Sequence, residues 1–238
     1  MNTTFENTYN NHSAAEALPE ERASFIRKTY AHLAGAVLIF TLMEAYLISS
    51  GAGAVIAQTM LGGRFSWFIV LAAFMGVSVL ANWWANSQTS KAMPYMGLGL
   101  YIVAEVIIFL PLLFIVASYS DGYEIFAKAG LVTGGLFLGL TSVVFITRKD
   151  FSFLGPILAI GSFVALGLIV ASLIFGFSLG NIFSFAMVAF AGAAILYQTS
   201  NILHEYRPNQ HVAASLALFA SVALLFWYII RIFMGSRN

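Results

Sequence analysis

The chain has 238 residues, of which 60% are hydrophobic and 9% are charged, with a formal net charge of +1 and a mean hydropathy of +0.87. A soluble domain carries about a quarter of its residues as charged side chains, so this composition excludes a water-soluble globular protein, and the near-zero net charge argues against a nucleic-acid partner. Cysteine is absent, which excludes disulfides, thiolate metal sites and cysteine nucleophiles.

The N-terminal segment is polar, and its first basic residue is Arg22. A secretory signal would begin with basic residues and become apolar at once. We therefore interpret residues 1–28 as a polar cytoplasmic tail that precedes a single transmembrane domain over residues 29–238.

Seven apolar segments follow the tail. A helix needs roughly 20 residues to cross a hydrocarbon core of about 30 Å. No segment alternates like a barrel strand, and backbone polar groups in lipid must find partners within their own segment. The sequence therefore predicts an all-α integral membrane protein with seven transmembrane helices. The predicted spans are Tyr30–Ser49, Trp67–Ala85, Pro94–Ala117, Ala127–Thr147, Leu154–Gly176, Ile182–Leu203 and Val212–Phe233.

The basic residues between the spans indicate an orientation. With the tail in the cytoplasm, the cytoplasmic side carries Arg22, Arg27, Lys28, Lys91, Arg148, Lys149 and Arg207, and the other side carries Arg64, Lys128, Arg231 and Arg237. Because basic residues are enriched in cytoplasmic loops, this distribution predicts a cytoplasmic N-terminus. An odd number of spans then places the C-terminus outside.

Two acidic residues lie inside predicted spans: Glu44 in the second half of the first, and Glu105 near the middle of the third. An ionised carboxylate at such a depth costs about 2.5–3.5 kcal/mol on insertion scales. Gly97, Tyr101 and Glu105 share one helical stripe, which indicates that Glu105 faces other helices. Two interpretations stay open: a proton or cation relay, or neutral acids whose hydrogen bonds hold helices in register.

The last two spans carry small and polar residues at helical spacing. Gln198, Asn201 and Glu205 form a polar stripe in the sixth span, while Ala217 and Ser221 lie one turn apart in the seventh. Small residues at this spacing let helix backbones approach closely. We therefore expect Gln198 and Ser221 to lie in helix contacts and not to face lipid.

The pair His204-Glu205 begins like a zinc-protease motif, but Pro208 stands where the second histidine would be required. The connections between spans are short, so no separate catalytic domain is expected. We predict that the protein is not an enzyme and that it needs no cofactor.

Three strings and one single residue, taken in order, resemble the Bax inhibitor-1 family, also called the transmembrane Bax inhibitor motif family, and in particular its bacterial branch. They are Phe25–Tyr30 at the entry to the first span, Glu105 in the third, Thr147–Gly155 between the fourth and fifth, and Leu196–Ile202 near the end of the sixth. The resemblance implies a fold in which the C-terminal helix is surrounded by the other six. It also implies either a calcium leak or a role in restraining stress responses and membrane proteolysis.

In the channel-type members of that family, two aspartates on the sixth and seventh helices switch the pore by binding or releasing protons. The resemblance places Gln198 and Ser221 at these latch positions. Neither side chain titrates near neutral pH, so we expect altered or absent pH gating and weak calcium binding there. Glu105 and Glu44 are then the candidates for an ion or proton site, and the identity of any metal ion is left open.

These observations support two hypotheses. The first is a passive cation leak, with calcium as the expected ion, in the inner membrane of a bacterial cell. The second is a regulatory membrane protein that binds a membrane protease or a stress-response complex within the lipid bilayer. A closed pore and a solid bundle share the same hydrophobic pattern, so the sequence leaves both open.

Overall fold

The computed structural model describes residues 13–236, which fold into eight helices. They are α1 (Pro19–Ser49), α2 (Ala52–Leu61), α3 (Arg64–Ala85), α4 (Met93–Ala117), α5 (Gly122–Thr147), α6 (Leu154–Phe175), α7 (Gly180–His204) and α8 (His211–Gly235). All except α2 include a stretch that is long and apolar enough to cross a membrane. The prediction of an all-α protein with seven spanning helices is confirmed.

The first helix begins at Pro19, well before the predicted start of the first span at Tyr30. Proline is favoured in the first turn because its missing N–H has no helical partner there, and acidic residues such as Glu20 and Glu21 suit the positive end of the helix dipole. Part of the predicted polar tail, residues 1–28, is therefore helical. Residues 1–12 of that tail lie outside the described residues.

The short helix α2 occupies the connection between the first two predicted spans. It begins after Gly51, whose φ of 75° is in the left-handed region that glycine adopts without strain. Its ten residues are too few to cross the bilayer. Gly53 approaches α1 and α4 closely, since a Cβ there would lie 2.9 Å from the Leu47 carbonyl oxygen and 3.0 Å from Leu110 Cδ1.

The C-terminal helix α8 forms the centre of the bundle. In its most apolar stretch 67% of the residues are buried, as against 11% in α3 and in α6, which identifies α8 as core and the other two as periphery. It packs directly against α1, α3, α4, α5 and α7. Ala165 of α6 joins it through a small buried cluster with Met187 and Tyr228. The surrounded C-terminal helix is thus confirmed.

One end of the bundle is held together by contacts between distant parts of the chain. The Ala14 N–H donates to the Tyr206 carbonyl oxygen at 2.8 Å, and the Arg22 guanidinium donates to the Leu203 carbonyl oxygen at 3.5 Å. The start of α1 and the α7–α8 connection therefore lie on the same side of the membrane. That this side faces the cytoplasm stays a prediction.

Candidate functional site

Glu105 lies in the packed interior of the bundle and is 5% exposed. The hydroxyl of Tyr101, one turn earlier in α4, is the polar group that interacts with its carboxylate. The Tyr101 ring is in turn enclosed by Phe74 of α3 and Phe219 of α8, each with its ring centre 6.2 Å away. Glu105 therefore has a protein partner, and that partner is fixed in place by two neighbouring helices.

The same face of α4 makes its closest approach to α3 at Gly97. A Cβ at this position would lie 2.5 Å from the Ala81 carbonyl oxygen and 2.6 Å from the Ala85 nitrogen. Both are backbone atoms, so only glycine fits without moving a helix. The stripe of Gly97, Tyr101 and Glu105 therefore faces neighbouring helices, as the sequence indicates.

Glu44 is buried to a similar degree, with 3% exposure, but its surroundings differ. Within the described part of the chain, neither of its carboxylate oxygens has a hydrogen-bond partner. It lines an elongated cavity of about 1180 Å³. We call this cavity the α1–α5 crevice; its main walls are Tyr30–Ser49 of α1 and Tyr123–Phe137 of α5, and its floor is Phe219–Phe226 of α8.

The two acids lie in different places in the bundle. Glu44 lines the crevice together with Leu113 of α4, whereas Glu105 is not among the residues that line it. Phe40 of α1 packs against Phe109 of α4 at 5.1 Å between ring centres, so the two helices are in direct contact. Among residues 13–236, no group of three or more acidic or histidine side chains is placed to hold a metal ion.

Gln198 and Ser221, which the resemblance assigns to the latch positions, are both uncharged and are not joined to each other. The Ser221 hydroxyl, 5% exposed, donates to the Ala217 carbonyl oxygen of its own helix at 3.0 Å. Gln198 is half-buried on α7. No hydrogen bond links these two side chains in the described region, so no side-chain contact between them connects α7 to α8.

A polar cluster between the α5–α6 loop and α7 was not predicted. The Ser200 hydroxyl accepts from the Phe151 N–H at 2.9 Å and donates to the Asp150 carboxylate at 3.4 Å. Asp150 also accepts from the Ser152 N–H at 2.8 Å, and this bond, with smaller contributions from the Ser152 hydroxyl, His204 and Ser200, holds the pKa of Asp150 below its ordinary value. The cluster joins two of the strings that carry the family resemblance, Thr147–Gly155 and Leu196–Ile202, a pairing that spacing alone could not reveal.

A second unpredicted cluster joins the middle part of α1 to the starts of α4 and α8. The rings of His32 and His211 lie 5.1 Å apart, and the Tyr95 hydroxyl lies 3.4 Å from His211 Nε2. The His32 ring also hydrogen-bonds to the Lys28 carbonyl oxygen at 2.7 Å. No spacing in the sequence connects these three residues, because each comes from a different span.

The sequence also contains one Gly-x-Ser-x-Gly string, at Gly176–Gly180. As a nucleophile motif this string needs a sharp turn between a strand and a helix. Here it forms the connection between α6 and α7, with Ser178 exposed. The string therefore lacks the structural setting of a nucleophile elbow, and the absence of enzymatic activity stays a prediction.

Comparison with known proteins gives a consistent result. Residues 22–238 match the family model described as "Inhibitor of apoptosis-promoting Bax1". The chain is 32% identical to an uncharacterised protein of Pseudomonas aeruginosa over 93% of both chains. It is also similar to the Bax inhibitor 1 of Schizosaccharomyces pombe, with 29% identity over 94% of this chain and 81% of that one. A Golgi anti-apoptotic protein of vaccinia virus is 26% identical over 95% of this chain and 91% of its own length.

Proposed function

Because the chain belongs to the Bax inhibitor-1 family of membrane proteins, we propose that it is a passive cation leak with calcium as the expected ion. The described conformation is then a closed one. The observation that carries the proposal is Glu105, an acid enclosed near the middle of α4 with Tyr101 as its polar partner. Intramembrane acids are costly, and those that persist commonly line ion or proton pathways.

Glu105 exchanges one partner for another when the path opens. In the closed state the Tyr101 hydroxyl interacts with the carboxylate, and in the open state a cation replaces that hydroxyl. The interaction with a cation requires the charge of the carboxylate, which glutamine lacks. Replacing Glu105 with glutamine should therefore retain the closed packing and lose the conducting state.

Gating by pH is not expected from the latch positions. Gln198 and Ser221 keep the same charge across the physiological range, and Ser221 already bonds within its own helix. In this proposal the pair offers no protonation step that could open or close a path between α7 and α8.

A flux assay tests the leak directly. Purified protein in liposomes, with a calcium indicator inside, should admit calcium faster than empty liposomes at neutral pH. Glu105→Gln should reduce the rate at least about tenfold. Flux equal to that of empty liposomes at neutral pH would contradict the proposal.

We also propose that the protein lies in the inner membrane of a bacterial cell, with its N-terminus in the cytoplasm. The bacterial relative supports the location, and the distribution of basic residues supports the orientation. Reporter domains fused at either terminus would test it, since a cytoplasm-dependent reporter should be active at the N-terminus and inactive at the C-terminus.

A second candidate function is regulation through contacts with a membrane protease or a stress-response complex. The observation that favours it is that Glu105 is hydrogen-bonded in a tightly packed core, whereas the outer face of α6 is open, with Phe163 78% exposed. This function predicts that Glu105→Gln is silent and that a photo-crosslinking residue at Phe163 captures a partner in the cell.

A further inference from the structure

We infer that the α1–α5 crevice is a binding site for a long-chain amphiphilic amine that enters from the lipid, with its ammonium group on Glu44 and its chain along α1. The inference goes beyond the cation leak and does not depend on it. Leu38 and Tyr46 line the crevice and are 59% and 69% exposed, so its mouth opens towards the acyl chains. Glu44 supplies a carboxyl group at a defined depth within it.

The chemistry of the walls selects the head group. Among the residues that the structure describes, no lysine, arginine or histidine lines the crevice, so these residues offer Glu44 no cation there. Both carboxylate oxygens lack a donor, and the nearly buried hydroxyl of Thr133, on the opposite wall, also lacks a partner within the described chain. A buried acid without a donor is costly. A primary ammonium group would supply both the opposite charge and three N–H donors.

The dimensions select the tail. From Glu44 to Tyr30 the wall of α1 extends about 21 Å, which exceeds the roughly 15 Å of a single leaflet of the hydrocarbon core. One long alkyl chain therefore fits beside the apolar side chains between these two residues. Contacts of Tyr30 with Phe137 and Phe145, at 6.3 Å and 5.8 Å between ring centres, close the crevice at that end.

The depth of Glu44 argues for a small head group. The residue lies about 8 Å below the end of α1 at Ser49. A zwitterionic phospholipid head group would have to leave the interface to reach Glu44. Moving a single amine to that depth costs much less desolvation free energy. A hard cation such as calcium is also disfavoured, because it requires about six to eight oxygen ligands and the crevice offers one carboxylate.

Binding of radiolabelled hexadecylamine to the purified protein in detergent micelles tests the inference. The amine should bind with one molecule per chain, and hexadecanol and hexadecanoate should compete at least about tenfold more weakly, a difference of about 1.4 kcal/mol. Glu44→Gln should weaken amine binding by a similar factor and leave the affinity for hexadecanol unchanged. Glu105→Gln is the matched control and should leave amine binding unchanged.

A second pair of variants tests the location without altering charge. Gly134 lines the crevice and Gly139 does not, yet both lie on α5 with open space where a Cβ would be. Gly134→Phe should fill the crevice and abolish amine binding, while Gly139→Phe should leave it intact, with thermal unfolding used to verify that both variants fold.

Three results would overturn the inference. One is the absence of saturable amine binding to the wild-type protein. Another is equal binding to wild type and Glu44→Gln, which would mean that the carboxylate does not recognise the amine. The third is unchanged binding in Gly134→Phe, which would place the amine elsewhere.

Discussion

The packed face of α4 and the α1–α5 crevice each contain a buried acid, and the two acids differ in whether they have a polar partner. Glu105 and Glu44 are 5% and 3% exposed, yet the first has Tyr101 as a partner and the second has no partner among the described residues. The two side chains are therefore buried to a similar degree, and they differ in the polar groups that surround them. A satisfied acid stabilises helix packing, whereas an unsatisfied one at an open crevice is available to a ligand.

The largest difference in the free energy of unfolding should come from replacing one glycine with alanine in each of the two regions. Gly97→Ala places a Cβ against the backbone of α3, which cannot move aside, and should lower the free energy of unfolding by about 3 kcal/mol or more. Gly134→Ala, in the crevice, meets open space and should raise it by up to about 1 kcal/mol through better helix propensity. Thermal or denaturant unfolding in detergent measures both. Equal effects would mean that the two faces are packed alike.

The next effect concerns the partners of the acids. Tyr101→Phe removes the polar partner of Glu105 and should cost about 1–2 kcal/mol, because a buried polar group loses its hydrogen bond. Glu44→Met removes an acid that has no partner and should not destabilise the protein, with a gain of up to about 1 kcal/mol. The same unfolding assay compares the signs. A loss of stability in Glu44→Met would reveal a partner for Glu44 that the described residues do not show.

The smallest effect concerns Asp150, an exposed acid that lies in the α5–α6 loop, outside the spans. Because its pKa is lowered in the folded protein, its contribution is present above the ordinary aspartate value of about 3.9 and disappears as the pH falls through the lowered value. Exposed interactions are weak, so Asp150→Asn should change the melting temperature at neutral pH by less than about 2 °C. The difference between variant and wild type should vanish in acid. A difference that grows in acid would contradict the direction of the shift.

The spans could be predicted because crossing lipid requires a local run of apolar residues, and six of the seven predicted spans agree with the helices to within a few residues. The start of α1 and the short helix α2 were missed because hydropathy does not report helices that extend beyond the hydrocarbon core or are too short to cross it. Proline and two acids at the start of α1 were the available signal.

Contacts within one helix could be predicted from the sequence, whereas contacts between helices could not. The partnership of Tyr101 with Glu105 was accessible from sequence, since residues four apart share a helix face. The crevice around Glu44 was not, because its walls come from α1, α5 and α8, and sequence spacing does not give the distance between helices. The contact between Asp150 and Ser200 was hidden for the same reason.

Labelling with a lipid-soluble carbodiimide, followed by peptide mass spectrometry, tests the contrast between the two acids most directly. The reagent enters from the lipid phase and modifies carboxyl groups that it can reach. Glu44 should be modified, because the crevice opens to lipid. Glu105, enclosed behind Tyr101, should stay unmodified until the protein unfolds. Modification of Glu105 at the same rate as Glu44 in the folded protein would contradict the account.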